Sequence, residues 1–138
     1  MQLEVKIKSI LHATENESKV LEKLEDVFHI EQKNFQIEEI PGHFNNPILL
    51  ISSKLKKRSA EKFVSMFFSS LKKTDFQEIF NNVEDYVTSS GLSLRISKQK
   101  LISGVLTISK EDTIKINISI PVYVKNETKK IYQELMKN

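Results

Sequence analysis

Residues 114–122 place Ile114, Ile116, Ile118, Ile120 and Val122 at alternate positions, with Lys115, Asn117 and Ser119 among the residues between them. Successive strand side chains point to opposite faces, so this period of two demands a strand with one apolar and one polar side. A strand of that kind needs neighbouring strands and a second layer over its apolar face. Residues 3–13 show the same pattern at their start, with Leu3, Val5 and Ile7 opposite Lys6 and Lys8.

Helical periods supply the second layer. Val20, Leu21, Leu24, Val27 and Phe28 mark an amphipathic helix over about 15–28, opened by a capping box of Thr14 and Glu17. Ala60, Phe63, Val64, Phe67, Phe68 and Leu71 form a broad apolar stripe. A second capping box, Thr74 with Gln77, precedes Phe76, Ile79, Phe80, Val83 and Val87. This spacing assigns the phenylalanines to the core rather than to a base-stacking platform. Gly91 ends that segment as a left-handed C-terminal residue.

Phe35–Glu39, Pro47–Leu55, Leu92–Ile96 and Leu101–Ile108 read as further strands, and Asn126 caps a last helix carrying Ile131 and Leu135. The predicted order is β-α-β-β-α-α-β-β-β-α. It implies an α+β two-layer sandwich, a mainly antiparallel sheet with helices packed on one face. Lys110-Glu111-Asp112-Thr113 is a polar, turn-compatible link, so 101–108 and 114–122 are expected to be antiparallel neighbours. With no Pro/Gly/Ser linker and no repeat, residues 1–138 read as one domain, long enough to bury its own core.

Composition narrows the function classes. The absence of cysteine removes disulfides and thiolate metal sites. The histidines, His12, His29 and His43, lack zinc-motif spacing. No phosphate-binding P-loop, dinucleotide fingerprint or G-x-S-x-G elbow occurs. The expectation is a non-enzyme without cofactor or metal. No apolar run is long enough to cross a bilayer and no signal-peptide core opens the chain, so a soluble, cytoplasmic protein is expected. Net charge is only +3, but its distribution is uneven. Residues 15–39 carry eight acids against three lysines, whereas residues 54–73 carry six lysines and Arg58 against Glu61 alone. Such asymmetry creates a local field.

Polar junctions stand out against this frame. Gly42-His43-Phe44-Asn45-Asn46-Pro47-Ile48 joins a turn-forming cluster to an apolar strand. Gly42 permits positive φ, and Pro47 restricts Asn46 to extended conformations. His43 and Phe44 either pin this turn or offer a donor and a ring to an unpaired base. His12-Ala13-Thr14-Glu15 marks another strand-to-helix junction, and Lys98-Gln99-Lys100 a third. Phosphate candidates are Lys54, Lys56, Lys57 and Arg58, followed by Arg95, Lys98 and Lys100, with Gln99 able to read a base edge. Lys115, Lys129 and Lys130 read as generic surface cations.

Over approximately residues 3–123, these junctions resemble an archaeal family of small RNA-binding proteins described as predicted exosome subunits. The resemblance implies a fold similar to large-subunit ribosomal protein five, RNA as partner, and homodimer formation through the sheet, with Val105, Ile118 or Tyr123 as contributors. The chain departs from the family pattern at Asn45, where glycine is favoured. It departs again at Lys100-Leu101-Ile102, which replaces a run of small and aromatic residues and removes a stacking role there. The function expected is non-catalytic RNA binding, accessory to RNA processing or ribosome assembly. In that reading lysines and Arg58 contact phosphates, while His43, Asn45, Asn46 and Gln99 contact sugars or bases. The alternatives are a protein-interaction module of an RNA-processing complex and a hydrolase built on His12 or His43.

Overall fold

The strand of alternating isoleucines, β6 (Thr113–Ser119), lies inside a six-stranded sheet. In the computed structural model, which describes residues 2–12, 17–41, 47–111 and 113–137, it is flanked by β1 (Glu4–Leu11) and β5 (Gly91–Ser97), both antiparallel. Outside β1 lies β3 (Pro47–Lys56), then the edge strand β2 (Gln36–Pro41); outside β5 lies the two-residue β4 (Val87–Thr88). The sheet order is therefore β2-β3-β1-β6-β5-β4.

Among the described residues, helices cover one face only. Val5, Ile7 and Leu11, with Ile51, Leu92, Leu94, Ile96, Ile114, Ile116 and Ile118, are all buried and belong to one hydrophobic cluster. Against them pack α1 (Glu17–Phe28), α2 (Lys57–Ser70), α3 (Lys73–Asn81), the single turn α4 (Val83–Tyr86) and α6 (Thr128–Lys137). The expected α+β sandwich and the core assignment of the phenylalanines both hold. Phe28 meets Phe63 edge-on at 5.2 Å, Phe63 stacks with Phe67 at 5.6 Å, and the series continues through Phe68 and Phe76 to Phe80. Offset and edge-to-face pairs of this kind add to what area burial alone contributes.

Four local expectations are overturned. Leu101–Ile108 is not a strand. Ser97 accepts a hydrogen bond from the Lys100 amide and opens α5 (Lys98–Ile102). The helix closes with a Schellman motif, Val105 N–H to Lys100 C=O and Gly104 N–H to Leu101 C=O, with Gly104 at φ 87°. Its residues 98–102 leave the sheet, and β5 rather than 101–108 becomes the partner of β6. A remnant survives in the isolated bridge between Ile96 and Ile108.

Thr74 and Gln77 form no capping box, because α3 is preceded by Lys72, which makes no side-chain cap. Asp75 instead reaches across the fold, accepting from the Thr107 hydroxyl at 2.6 Å and the Ile108 amide at 3.2 Å. Gly91 is no helix end but the first residue of β5, paired with Thr88 across the tight β4–β5 turn, at φ 121°. A β-carbon there would stand 2.5 Å from the Ile118 carbonyl oxygen. Asn126 falls in a 3-10 turn, Lys125–Glu127, before α6. The capping box of Thr14 lies outside the described residues.

Candidate nucleic-acid interface

No described element covers the face away from the helices, and the register fixes what it displays. Strand positions of polar parity fall into transverse rows about 6–7 Å apart, on strands about 4.8 Å apart. One row joins Lys56, Glu4 and Ser119. The next joins Lys54, Lys6, Asn117 and Ser93, and a third runs Gln36, Ser52, Lys8, Lys115 and Arg95. Six cations thus share a field roughly 14 Å wide and 13 Å deep, as strand spacing and rise require. Among the described residues of these rows, Glu4 is the single acid.

Glu4 is fully engaged in that field. Its carboxylate lies 3.2 Å from the Lys54 ammonium and 3.9 Å from that of Lys6. The hydrogen bond from Lys54 is the main reason its carboxyl sits below the ordinary carboxylate range, assisted by the charges of Lys54, Lys56 and Lys6. The corner around Glu4 is therefore partly neutralised. The third row has no such relief: Lys8, Lys115 and Arg95 stand directly opposite one another across three strands. Like charges in direct cross-strand register destabilise a sheet. Fold stability gives no reason for that arrangement.

Beside this row is a groove of about 370 Å³ lined by Lys6, Lys8, Arg95, Lys115, Ser93 and Asn117, among others. Its polar floor is ordered. Ser93 donates to Asn117 Oδ1 at 2.9 Å, and Asn117 Nδ2 donates to the Ser90 carbonyl at 2.9 Å.

Of the residues expected from sequence, Lys54, Lys56 and Arg95 lie in the field. Lys57 and Arg58 are exposed in the first turn of α2, immediately beyond Lys56, with Lys57 itself in the left-handed region at φ 55°. Gln99 and Lys100 are exposed on α5 at the opposite end of the strands. Segments 54–58 and 98–100 are thus separated by most of the length of the sheet. Lys98 must be withdrawn from the exposed set. It is 2% exposed, and its ammonium donates to the Ile10 carbonyl at 2.7 Å, tying α5 to the end of β1. His43, Phe44, Asn45 and Asn46 lie outside the described residues. Ile118 is buried beneath the helices and cannot contribute to a dimer face.

Sequence reasoning missed Lys6 and Lys8 and dismissed Lys115. Their signal was present as parity: cations occupied the polar positions of strands otherwise marked by their apolar ones. Recognising it required the neighbour relation β3-β1-β6-β5, which the misassigned strand at 101–108 obscured.

A family described as RNA binding matches residues 4–120, which includes every strand of the field. The chain belongs to that family. It is 33% identical over 126 residues to RNA-binding protein PAB1135 of Pyrococcus abyssi, covering 86% of this chain and 82% of the relative. Among solved structures, protein AF2318 from Archaeoglobus fulgidus superposes with a TM-score of 0.80 at 26% identity, covering 98% of this chain and 99% of the other. Mth689 from Methanothermobacter thermautotrophicus gives 0.77 at 25% identity, covering 99% of each chain. Family membership and fold therefore agree over nearly the whole length. No helix among the described residues is long and apolar enough to cross a membrane, and no cluster of three or more His, Asp or Glu among them is placed to hold a metal ion.

Proposed function

We propose that this protein binds RNA non-catalytically on its open sheet face, as an accessory to RNA processing or ribosome assembly. The observation that carries the reading is the Lys8–Lys115–Arg95 row, a stability-costing alignment of cations that a polyanion would relieve. Membership of an RNA-binding family supports RNA as that polyanion. None of the strand residues on the open face is aromatic, so the face addresses phosphates and riboses rather than stacked bases. Ser52, Ser119 and Gln36 stand in the same rows and are suited to 2′-hydroxyl contacts, which distinguish RNA from DNA.

Fluorescence anisotropy with an RNA hairpin, a single-stranded RNA and the matching DNA duplex, each from 50 to 300 mM salt, tests this. Each phosphate neutralised on a duplex contributes about −0.9 to the slope of log K against log salt. Six cations less Glu4 predict a slope of roughly −4 to −5 with the RNA hairpin. Absence of RNA binding at 50 mM salt would remove the proposal, and equal affinity for the DNA duplex would remove the ribose contacts.

A further inference from the structure

At the β5 edge of the cationic field, a second cavity of about 330 Å³ is lined by Tyr86, Ser93, Arg95, Ile108, Ser109 and Lys110. Ser93 and Arg95 also line the groove on the open face, so the two depressions adjoin at β5. This cavity brings together what the described strand residues of the open face do not offer, an aromatic ring and an aliphatic side chain in one lining with two cations. Its wall is built rather than incidental. The strip carrying Ile108 is held on one side by Asp75, through the Thr107 hydroxyl and the Ile108 amide. On the other side it is held by the bonds Ser97 N–H to Thr107 C=O and Ser109 N–H to Arg95 C=O, each 2.9 Å. Ser109 is turned onto the backbone of Glu111, leaving Lys110 exposed between them.

We infer that this cavity receives one unpaired nucleotide of the RNA held on the sheet, its base between Tyr86 and Ile108 and its phosphate on Arg95 and Lys110. The inference rests on the RNA-binding reading and specifies its ligand as structured RNA carrying an extruded base. The charge pattern sorts the two parts of a nucleotide. Glu78, Asp85 and Asp75 all act on the Tyr86 hydroxyl through their charge, so a neutral base is acceptable beside that ring and a phosphate is not. Arg95 lines both this cavity and the open-face groove, so a cation stands where the two adjoin. A π-face is shared by every base, so the site selects for an unpaired base more than for its identity.

The test compares a fully paired RNA hairpin, the same hairpin with one bulged uridine, and the same bulge made abasic. Wild-type protein should bind the bulged uridine about tenfold more tightly than either other hairpin, the scale set by one stacked base. Tyr86→Leu should abolish that preference and leave affinity for the paired hairpin within about twofold, whereas Tyr86→Phe should retain both. Equal wild-type affinity for all three hairpins, or an equal loss on all three in Tyr86→Leu, overturns the inference. A second readout uses uridine monophosphate alone: saturable amide shifts at Tyr86 and Ile108–Lys110 are expected in the full chain. Shifts there without binding of any hairpin would leave the pocket standing and remove the sheet-face reading. Hairpin binding without shifts or bulge preference would do the reverse, and neither would remove both.

Discussion

Lys115→Gln separates a cation kept for binding from one kept for the fold, because the two roles predict opposite signs. Lys115 lies between Lys8 on β1 and Arg95 on β5, directly opposite both. Each directly opposed like-charge pair costs a sheet roughly 0.2–1 kcal/mol, so removing the middle charge relieves two such pairs, about 0.4–2 kcal/mol. For a chain of this size that raises Tm by about 1–7 °C in low salt. The gain should shrink as salt rises, since the Debye length falls from about 10 Å at 0.1 M to about 3 Å at 1 M. The same substitution removes one phosphate contact, lowering the salt slope by about 0.9 and the affinity roughly five- to tenfold near 0.1 M salt.

The assays are thermal unfolding at 20 mM and 1 M salt and anisotropy with the RNA hairpin at several salt concentrations. A variant more stable than the parent and weaker for RNA meets the expectation. A variant less stable at low salt refutes the electrostatic reasoning, and unchanged affinity removes Lys115 from the interface. Lys129→Gln is the control. Lys129 lies on α6 and pairs with Glu84 at 3.6 Å, so its replacement should leave RNA affinity unaltered.

Other consequences follow from individual contacts. Glu4→Gln removes the single acid of the field and should raise RNA affinity several-fold at low salt. Its carboxyl is held low by Lys54, so the stability it contributes is present above the ordinary carboxylate range and is lost as pH falls through the lowered folded-state value. In urea titrations against pH, Lys54→Ala combined with Glu4→Gln should lack this component, so its stability should fall less than the parent's as pH drops below the ordinary carboxylate range. Lys98→Met leaves the Ile10 carbonyl without its donor and should cost about 2–3 kcal/mol in urea denaturation while the RNA salt slope stays constant. A stable Lys98→Met that loses RNA would contradict the burial argument. Burial raises the Tyr132 hydroxyl above its ordinary value, against the opposing backbone hydrogen bonds of Ile120 and Leu92. The folded state then holds that proton when the unfolded chain has lost it, so stability should fall above about pH 10, less steeply in Tyr132→Phe.

Much of this architecture was legible in the chain. The alternation in β1 and β6 and the 3.6-residue stripes of α1 and α2 are local signals whose burial the sheet then honoured. Where a tertiary contact competed with a local preference, the reading failed. The aliphatic run 101–108 has the composition of a strand, but Ser97 starts a helix, Gly104 ends it, and the buried Lys98 fastens it to β1. Thr74 and Gln77 have the spacing of a capping box, yet it is Asp75 between them that makes the side-chain contacts, to a segment 32 residues away. The site was half visible for the same reason. Clustering along the chain found Lys54, Lys56, Lys57 and Arg58, but the field is assembled across strands, and only register brings Lys8, Lys115 and Arg95 into line. Lys98 failed in the opposite sense, since a lysine beside two exposed polar residues gives no local sign of being buried.

Lysine-reactivity footprinting by mass spectrometry, with and without the RNA hairpin, tests the central claim most directly. RNA should protect Lys6, Lys8, Lys54, Lys56 and Lys115 and leave Lys62 on α2, Lys73 on α3 and Lys129 on α6 as reactive as before. Protection concentrated on the helical lysines, with the sheet lysines unchanged, would contradict it.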